Sequence, residues 1–202
     1  MSQFATLDSL TAELNEMGNH SAEYWDKQVH VVPKSQTVDR FEYLVSLCKD
    51  KTILHIGCTG RLDEVLMKAA KRCYGTDKQL LERNDFTQCD LDVDSLPKFE
   101  GIELVVCGEV LEHLSNPGLF LAGLKATYAA PVVFTVPNAF CTSGAEWLLK
   151  RGRENVNNDH VCYYSYTTIK ELLRRVGYGI HKHYWYGGKP YISEGLIILA
   201  RA

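Results

Sequence analysis

The sequence predicts an α/β fold in which helices cover both faces of a mainly parallel β-sheet. Short apolar runs alternate along the chain with segments whose apolar residues recur at helical spacing. The run at 102–107, IELVVC, is almost continuously apolar, which is typical of a central parallel strand buried on both faces. The stretch at 52–63 joins an apolar run, a turn containing Gly57 and Gly60, and a helix. That order predicts the first unit of a nucleotide-binding α/β domain.

The composition is that of one globular domain, with 202 residues, 46% hydrophobic content and a net charge of -3. No cluster of Lys and Arg stands out, so we expect no broad nucleic-acid interface. No apolar run approaches the roughly 18 residues needed to cross a bilayer, and the first residues lack the pattern of a signal peptide. We therefore expect a cytoplasmic protein without a membrane partner. The seven cysteines lack CxxC spacing, which predicts buried, reduced thiols.

The chain is predicted to divide into an N-terminal helical extension or lid, residues 1–35, and a main domain, residues 36–202. Apolar residues of the extension recur at the spacing of one short amphipathic helix: Leu7, Leu10, Leu14 and Met17. The adjacent aromatics Tyr24 and Trp25 either pack onto the domain or form part of a lid over a ligand.

Within the main domain, each remaining element has its own pattern. Apolar runs predict strands at 52–57, 72–77, 86–91, 102–107, 131–136, 179–186 and 194–201. Helical spacing predicts helices at 37–49, at 62–69 and around Leu119, Leu121 and Leu124. A capping-box pattern from Thr168 to Glu171 predicts the start of a further helix, which ends at Gly177. The last two strands flank a turn at 187–190, so the final strand should be antiparallel to its neighbour.

Polar and glycine residues follow several of the predicted strands, where α/β sheets bind ligands. These positions are Gly57–Gly60, Asp77, Asp90, Gly108–Glu109 and Pro137–Asn138. Asp77 lies 17 residues beyond Gly60, close to the roughly 20 expected for an acid that binds ribose hydroxyls. Together with the glycine turn, Asp77 predicts a nucleotide site.

At these positions the chain resembles a class I S-adenosylmethionine-dependent methyltransferase, over residues from about 38 to 202. The resemblance rests on ILHIGCTG (53–60), YGTD (74–77), QCDLD (88–92), CGEVLEHLSNPGLFL (107–121), VVFTVPN (132–138) and HVCYYSYTTIKELLRRVGY (160–178). GEVLEHL followed by Asn-Pro is similar to small-molecule O-methyltransferases of the ubiquinone-biosynthesis type. The resemblance implies a Rossmann-like, doubly wound sheet of seven strands with the last strand antiparallel. It also implies S-adenosyl-L-methionine as cofactor and S-adenosyl-L-homocysteine as product.

Carried over by position, the resemblance implies which residues bind the cofactor. The turn Gly57–Gly60 would contact the methionine part, Asp77 the ribose hydroxyls and Asp90 the adenine amino group. The implied contacts are His55, Gly57, Cys58, Thr59, Gly60, Asp77, Lys78, Asp90, Leu91, Gly108 and Glu109. Two residues depart from the family, since His55 replaces its usual acid and Thr59 its second glycine. Either the turn takes another path or cofactor binding is weakened.

The family resemblance leaves three hypotheses about function. The first is methylation of a small hydroxylated metabolite, a sugar or similar, with His160 and His113 as candidate bases for the hydroxyl proton. His113 could equally be a helix-entry histidine that bonds to the backbone. Another hypothesis, which His55 and Thr59 suggest, is a non-catalytic cofactor-binding or scaffold protein on a degenerate fold.

The remaining hypothesis is metal-assisted 2′-O-methylation of RNA ends. Glu109, Glu112, His113 and His160 resemble the ligand set of the small-RNA 3′-end methyltransferases, and a cation held there could polarise vicinal hydroxyls. We expect no metal site, with Glu109 facing the cofactor and Glu112 serving the fold. The preferred partner is a small-molecule substrate, and the oligomeric state stays open, with a homodimer as one option.

Overall fold

The computed structural model describes residues 30–154 and 156–202. Lys34–Ala202 form one compact unit. The predicted helix through Leu7 and Met17 and the aromatics Tyr24 and Trp25 lie outside the described residues. The division at residue 35 therefore stays a prediction.

A seven-stranded sheet organises the domain, with strand order β3-β2-β1-β4-β5-β7-β6. The strands are β1 Thr52–Ile56, β2 Arg72–Asp77, β3 Phe86–Gln88, β4 Leu104–Gly108, β5 Val132–Pro137, β6 Gly179–Tyr186 and β7 Gly195–Arg201. Strands β1 to β5 pair in parallel, whereas β7 runs antiparallel to both β5 and β6. This arrangement confirms the predicted doubly wound sheet with an antiparallel last strand. It brings the carboxyl ends of β1, β2 and β4 to one edge, where the site forms.

The described α-helices are α1 Arg40–Cys48, α2 Gly60–Ala69, α3 Pro117–Thr127, α4 Thr142–Arg151 and α5 Tyr166–Val176. Helices α1 and α2 share one core with the sheet, in which Leu44 and Leu66 meet Ile53. Side chains alternate along a strand, so the residue next to a member of this core points to the other face of the sheet. On that face Phe134 of β5 contacts Tyr178, which directly follows α5. Burial of both faces explains why the central strands have almost continuous apolar sequences. No described helix is long and apolar enough to cross a membrane.

Helix α5 begins three residues earlier than the sequence pattern predicts. Its N-cap is Ser165, whose hydroxyl accepts a hydrogen bond from the Thr168 amide at 3.2 Å, while the Thr168 hydroxyl accepts one from the Ser165 amide at 2.8 Å. Thr168 is thus the third residue of the helix and not its cap. Glu171 instead forms ion pairs with Arg174 and Arg175 on the exposed face. The predicted end is correct, because Gly177 adopts the left-handed conformation of a helix C-cap.

Two further segments differ from the sequence prediction. Strand β3 ends at Gln88, because the chain turns at Asp90, whose amide donates to the Asp94 carboxylate and whose carbonyl accepts from the Asp94 amide. Helix α4 was not predicted, and none of its side chains is buried. Leu119, which was used to predict α3, is 67% exposed, whereas its neighbour Phe120 is buried.

Candidate cofactor and acceptor site

A cavity of about 530 Å³ lies at the carboxyl ends of β1, β2 and β4. This volume is typical of a site for a small molecule or cofactor. Eight residues of the predicted cofactor set line it: Gly57, Thr59, Asp77, Lys78, Asp90, Leu91, Gly108 and Glu109. Arg40, Arg61 and His113 also line the cavity. The structure therefore gathers most of the predicted set in one place.

The glycine turn brings bare main chain to the cavity wall. Gly57 has a φ of 74° and donates its amide hydrogen to the Thr76 carbonyl at 2.9 Å. A Cβ added at Gly57 would overlap Cγ2 of Val110, so the position requires glycine for space as well as for conformation. Gly60 has a φ of 67°, but a Cβ added there would meet no atom within 4 Å.

Thr59 lies in this turn with ordinary backbone geometry. Its φ of -118° and ψ of 158° describe extended backbone that any residue adopts. The glycine that the family places here is therefore not required by backbone conformation in this chain.

Thr59→Gly should change the dissociation constant for S-adenosylhomocysteine by less than about threefold, because the turn already accommodates a side chain. It should also lower the free energy of unfolding by about 0.5–1 kcal/mol, since glycine loosens the unfolded chain. Titration calorimetry and thermal unfolding measure the two effects. A tenfold gain in affinity would show instead that the Thr59 side chain crowds the ligand.

Asp77 and the residues after it are held by local hydrogen bonds. Oδ1 of Asp77 accepts from the Gln79 amide at 2.8 Å, and the Lys78 carbonyl accepts from Nε2 of Gln88 at 2.9 Å. Asp90 is exposed, and its Oδ1 accepts from the Asp92 amide at 3.1 Å. Both carboxylates are acceptors beside an open cavity, as binding of ribose hydroxyls and an adenine amino group would need.

Glu109 is fixed by residues that the sequence did not reveal. Its Oε1 accepts from Oγ1 of Thr135 at 2.7 Å and from the Tyr186 hydroxyl at 2.8 Å, and lies 3.3 Å from Nη1 of Arg40. Burial, together with the negative charge of Glu109, raises the pKa of Tyr186, so this hydroxyl remains a donor. The carboxylate is therefore oriented from three sides. The sequence pattern assigned no role to Arg40 or Thr135 and did not pair Tyr186 with Glu109.

Glu112, His113 and His160 converge beside the cavity. Their candidate ligand atoms all lie within 4.8 Å of one another, and the two imidazole centroids are 4.6 Å apart in an edge contact. The backbone brings His160 there, because the next residue, Val161, donates its amide to the Glu112 carbonyl at 2.8 Å. Burial and the nearby His113 lower the pKa of His160.

Within this cluster, the Glu112 carboxyl group is unusual because it is buried without hydrogen-bond partners in the described structure. The residue is 1% exposed, and both side-chain oxygens are buried without a hydrogen-bond partner in the described structure. Burial, followed by repulsion from Glu109, raises its pKa to about 8. No helical turn runs from Glu109 to His113, since Glu109 has a φ of 55° and Leu111–His113 form a short 3-10 turn. Glu109 therefore does not belong to the three-residue cluster.

His55 lies behind the cavity and not in it. It is fully buried, and its Nδ1 lies 2.8 Å from Oδ1 of Asp63 on α2. This geometry corrects the assignment of His55 as a cofactor contact. Cys58 is also fully buried, and neither Cys58 nor Gly60 lines the cavity.

Comparison with known proteins places this geometry in context. A family profile described as a methyltransferase domain matches residues 25–183. No protein with a curated description is significantly similar to the sequence.

Solved structures share the fold at low sequence identity. An S-adenosylmethionine-dependent methyltransferase from Mesorhizobium loti is 13% identical with a TM-score of 0.58, covering 80% of this chain and 95% of that chain. The magnesium protoporphyrin IX methyltransferase of Synechocystis PCC 6803, solved with bound S-adenosylhomocysteine, is 15% identical with a TM-score of 0.57, covering 95% and 99%. The small RNA methyltransferase HEN1 is 16% identical with a TM-score of 0.62, covering 86% of this chain and 27% of that chain.

Proposed function

Because this chain belongs to the methyltransferase-domain family, whose profile matches residues 25–183, we propose that it methylates a hydroxyl oxygen of a small metabolite, a sugar or similar. The family establishes the enzyme class and its cofactor, S-adenosylmethionine. The identity of the methyl acceptor is what we propose. The observation that carries the proposal is the contact between His113 and His160, with His113 in the cavity wall. A pair of imidazoles at that place provides a base for a hydroxyl proton.

The residues present fit the cofactor. Asp77 would accept hydrogen bonds from the ribose hydroxyls and Asp90 from the adenine amino group, because both carboxylates line the cavity. The main chain at Gly57 and Gly108 can approach the methionine part closely, since neither residue has a Cβ. Glu109, held by three donors, offers a fixed negative charge at that end.

The chemistry requires an acceptor oxygen in line with the methyl group and a place for its proton. When bound, S-adenosylmethionine supplies an electrophilic methyl group. His160 would accept the hydroxyl proton of the acceptor. The acceptor oxygen would take the methyl group, and the electron pair of the broken carbon–sulfur bond would stay on sulfur. His113, which lines the cavity, contacts the His160 ring by its edge and so keeps that ring beside the cavity. Holding the oxygen in line supplies much of the rate.

Metal-assisted 2′-O-methylation of an RNA end is the second candidate, and Glu112 favours it. A divalent cation bound by Glu112, His113 and His160 would satisfy the two unpartnered carboxylate oxygens. HEN1, a small RNA methyltransferase, shares the fold. The net charge of -3 and the lack of a basic cluster in the sequence favour the small acceptor. In addition, Glu109 is already bound to Arg40 and Tyr186.

The deciding experiment measures transfer from labelled cofactor to hydroxylated metabolites and to short RNA, with and without a chelator, read by mass spectrometry. We expect transfer to a metabolite that the chelator does not change. Transfer to an RNA 3′ end that is lost with chelator and restored by added cation would establish the second candidate.

Glu112→Gln is the matched control, because it keeps the shape of the side chain and removes an anionic ligand. It should leave metabolite transfer unchanged and should abolish any cation-dependent transfer. Cofactor binding without transfer to any acceptor in a broad panel would favour the scaffold hypothesis. The cytoplasmic location and the homodimer stay predictions.

A further inference from the structure

A buried charged network lies directly behind the cofactor cavity and consists of His55, Asp63 and Arg83. Arg83 donates from Nη1 to both carboxylate oxygens of Asp63, at 2.8 and 2.6 Å. Nδ1 of His55 lies 2.8 Å from Oδ1 of the same carboxylate. Burial alone would raise the pKa of Asp63, but the hydrogen bonds and charges of His55 and Arg83 outweigh it and lower the pKa. Asp63 is therefore an anion, and Nδ1 of His55 donates to it.

The network joins three elements that are separate in sequence. His55 lies on β1, Asp63 on α2 and Arg83 on the segment between β2 and β3. Arg83 also donates from Nη2 to the Cys73 carbonyl of β2. A Cβ added at Gly75 would lie 3.0 Å from Cζ of Arg83. The guanidinium is thus pressed against β2, where only glycine leaves room for it.

The two ends of the network lead to two parts of the cavity lining. Helix α2, which holds Asp63, directly follows the glycine turn with Gly57 and Thr59. The segment that holds Arg83 directly follows Asp77 and Lys78, which also line the cavity. A ligand that contacts both the glycine turn and Asp77 binds best when their side chains and loops are already ordered, because it then spends no free energy on ordering them.

We propose that Arg83 is a positioning residue for cofactor binding: by joining Asp63 to the Cys73 carbonyl, it holds the segment after β2 in place. The Gln79 amide of that segment donates to Oδ1 of Asp77, so the segment in turn orients the Asp77 carboxylate. The inference rests on the placement of the cofactor against Asp77 given under the proposed function. It gives His55 a role as well, since the imidazole is a second partner of the Asp63 carboxylate.

Arginine is the side chain suited to this task. Its planar guanidinium binds both oxygens of one carboxylate and still donates to a carbonyl, whereas lysine offers a single point charge. The Arg83 side chain is only 9% exposed, so water competes little for these bonds. Loss of the guanidinium would leave a buried carboxylate with His55 alone and release the segment after Asp77.

A double-mutant cycle tests the inference by calorimetric binding of S-adenosylhomocysteine, well below the unfolding temperature of each variant. Asp77→Ala should raise the dissociation constant by about 5- to 150-fold, through the loss of a hydrogen-bond partner of the ligand. Arg83→Gln should raise it roughly tenfold. Because Arg83 acts through Asp77, the double variant should bind about as weakly as Asp77→Ala alone.

The controls separate positioning from general stability. Arg174→Gln removes an exposed ion pair on α5 and should leave the dissociation constant unchanged. Arg83→Lys should recover only part of the affinity, because lysine keeps the charge but cannot bridge the two acceptors. If Arg83→Gln does not fold, the same cycle is measured with Arg83→Lys.

The outcomes distinguish two failures. Unchanged binding by Asp77→Ala would overturn the placement of the cofactor. Weakened binding by Asp77→Ala together with unchanged binding by the Arg83 variant would overturn the positioning role alone. The positioning role would also be overturned if the double variant weakened binding by the product of the two single effects, because the two residues would then act independently.

Discussion

Replacing His160 with alanine should lower kcat by about 10²- to 10⁴-fold, the range of a lost general base. Affinity for S-adenosylhomocysteine should stay within about twofold, since His160 contacts His113 and does not line the cofactor cavity. Initial rates with the metabolite acceptor and calorimetry measure the two effects.

His181→Ala is the matched control, because His181 is exposed on β6. It should leave kcat and affinity unchanged. An unchanged kcat in the His160 variant would remove His160 from the base role, and His113→Ala would then be the variant to measure.

Gly57→Ala should lower the free energy of unfolding by about 2–5 kcal/mol, the sum of a left-handed alanine and an overpacked contact. The φ of 74° disfavours alanine, and its Cβ would overlap Cγ2 of Val110. Denaturant unfolding measures the loss, and binding of S-adenosylhomocysteine should weaken with it.

Gly60→Ala separates the two causes. Gly60 has nearly the same φ, 67°, but open space at its Cβ, so this variant should lose only about 1–2 kcal/mol. Val110→Ala combined with Gly57→Ala should recover the steric part, because it removes the overlapping methyl group. Equal losses at Gly57 and Gly60 would contradict the steric explanation.

Most of the fold could be predicted because burial on both faces gives the central strands an unmistakable apolar sequence. Helix α4 could not, for the opposite reason. It buries no side chain, and its large apolar residues Trp147, Leu148 and Leu149 are consecutive, so no helical periodicity arises. The start of α5 was missed because two hydroxyl residues, Ser165 and Thr168, compete as cap, and only their geometry identifies Ser165.

The candidate site was predictable where residues follow strands and not where distant segments meet. Asp77 and Asp90 both line the cavity, where residues that follow the predicted strands were expected to gather. The partners of Glu109 were not, because Tyr186 lies 77 residues away and nothing in either sequence segment indicates the pairing. Likewise, Arg83 lies within the segment between β2 and β3, and the sequence does not indicate that it meets a carboxylate on α2.

The buried network also limits how this sequence can diverge. An acid at position 55 would bring a second carboxylate against Asp63, where His55 now lies 2.8 Å away, so His55→Asp alone would create repulsion. If Asp63 were replaced before the other positions changed, Arg83 would be left as a buried cation without its carboxylate partner. Alanine at Gly75 would press on Arg83 and on Sγ of Cys58, only 2.7 Å from the new Cβ. Related sequences should therefore exchange these positions together, and each surviving combination should keep one carboxylate opposite one guanidinium.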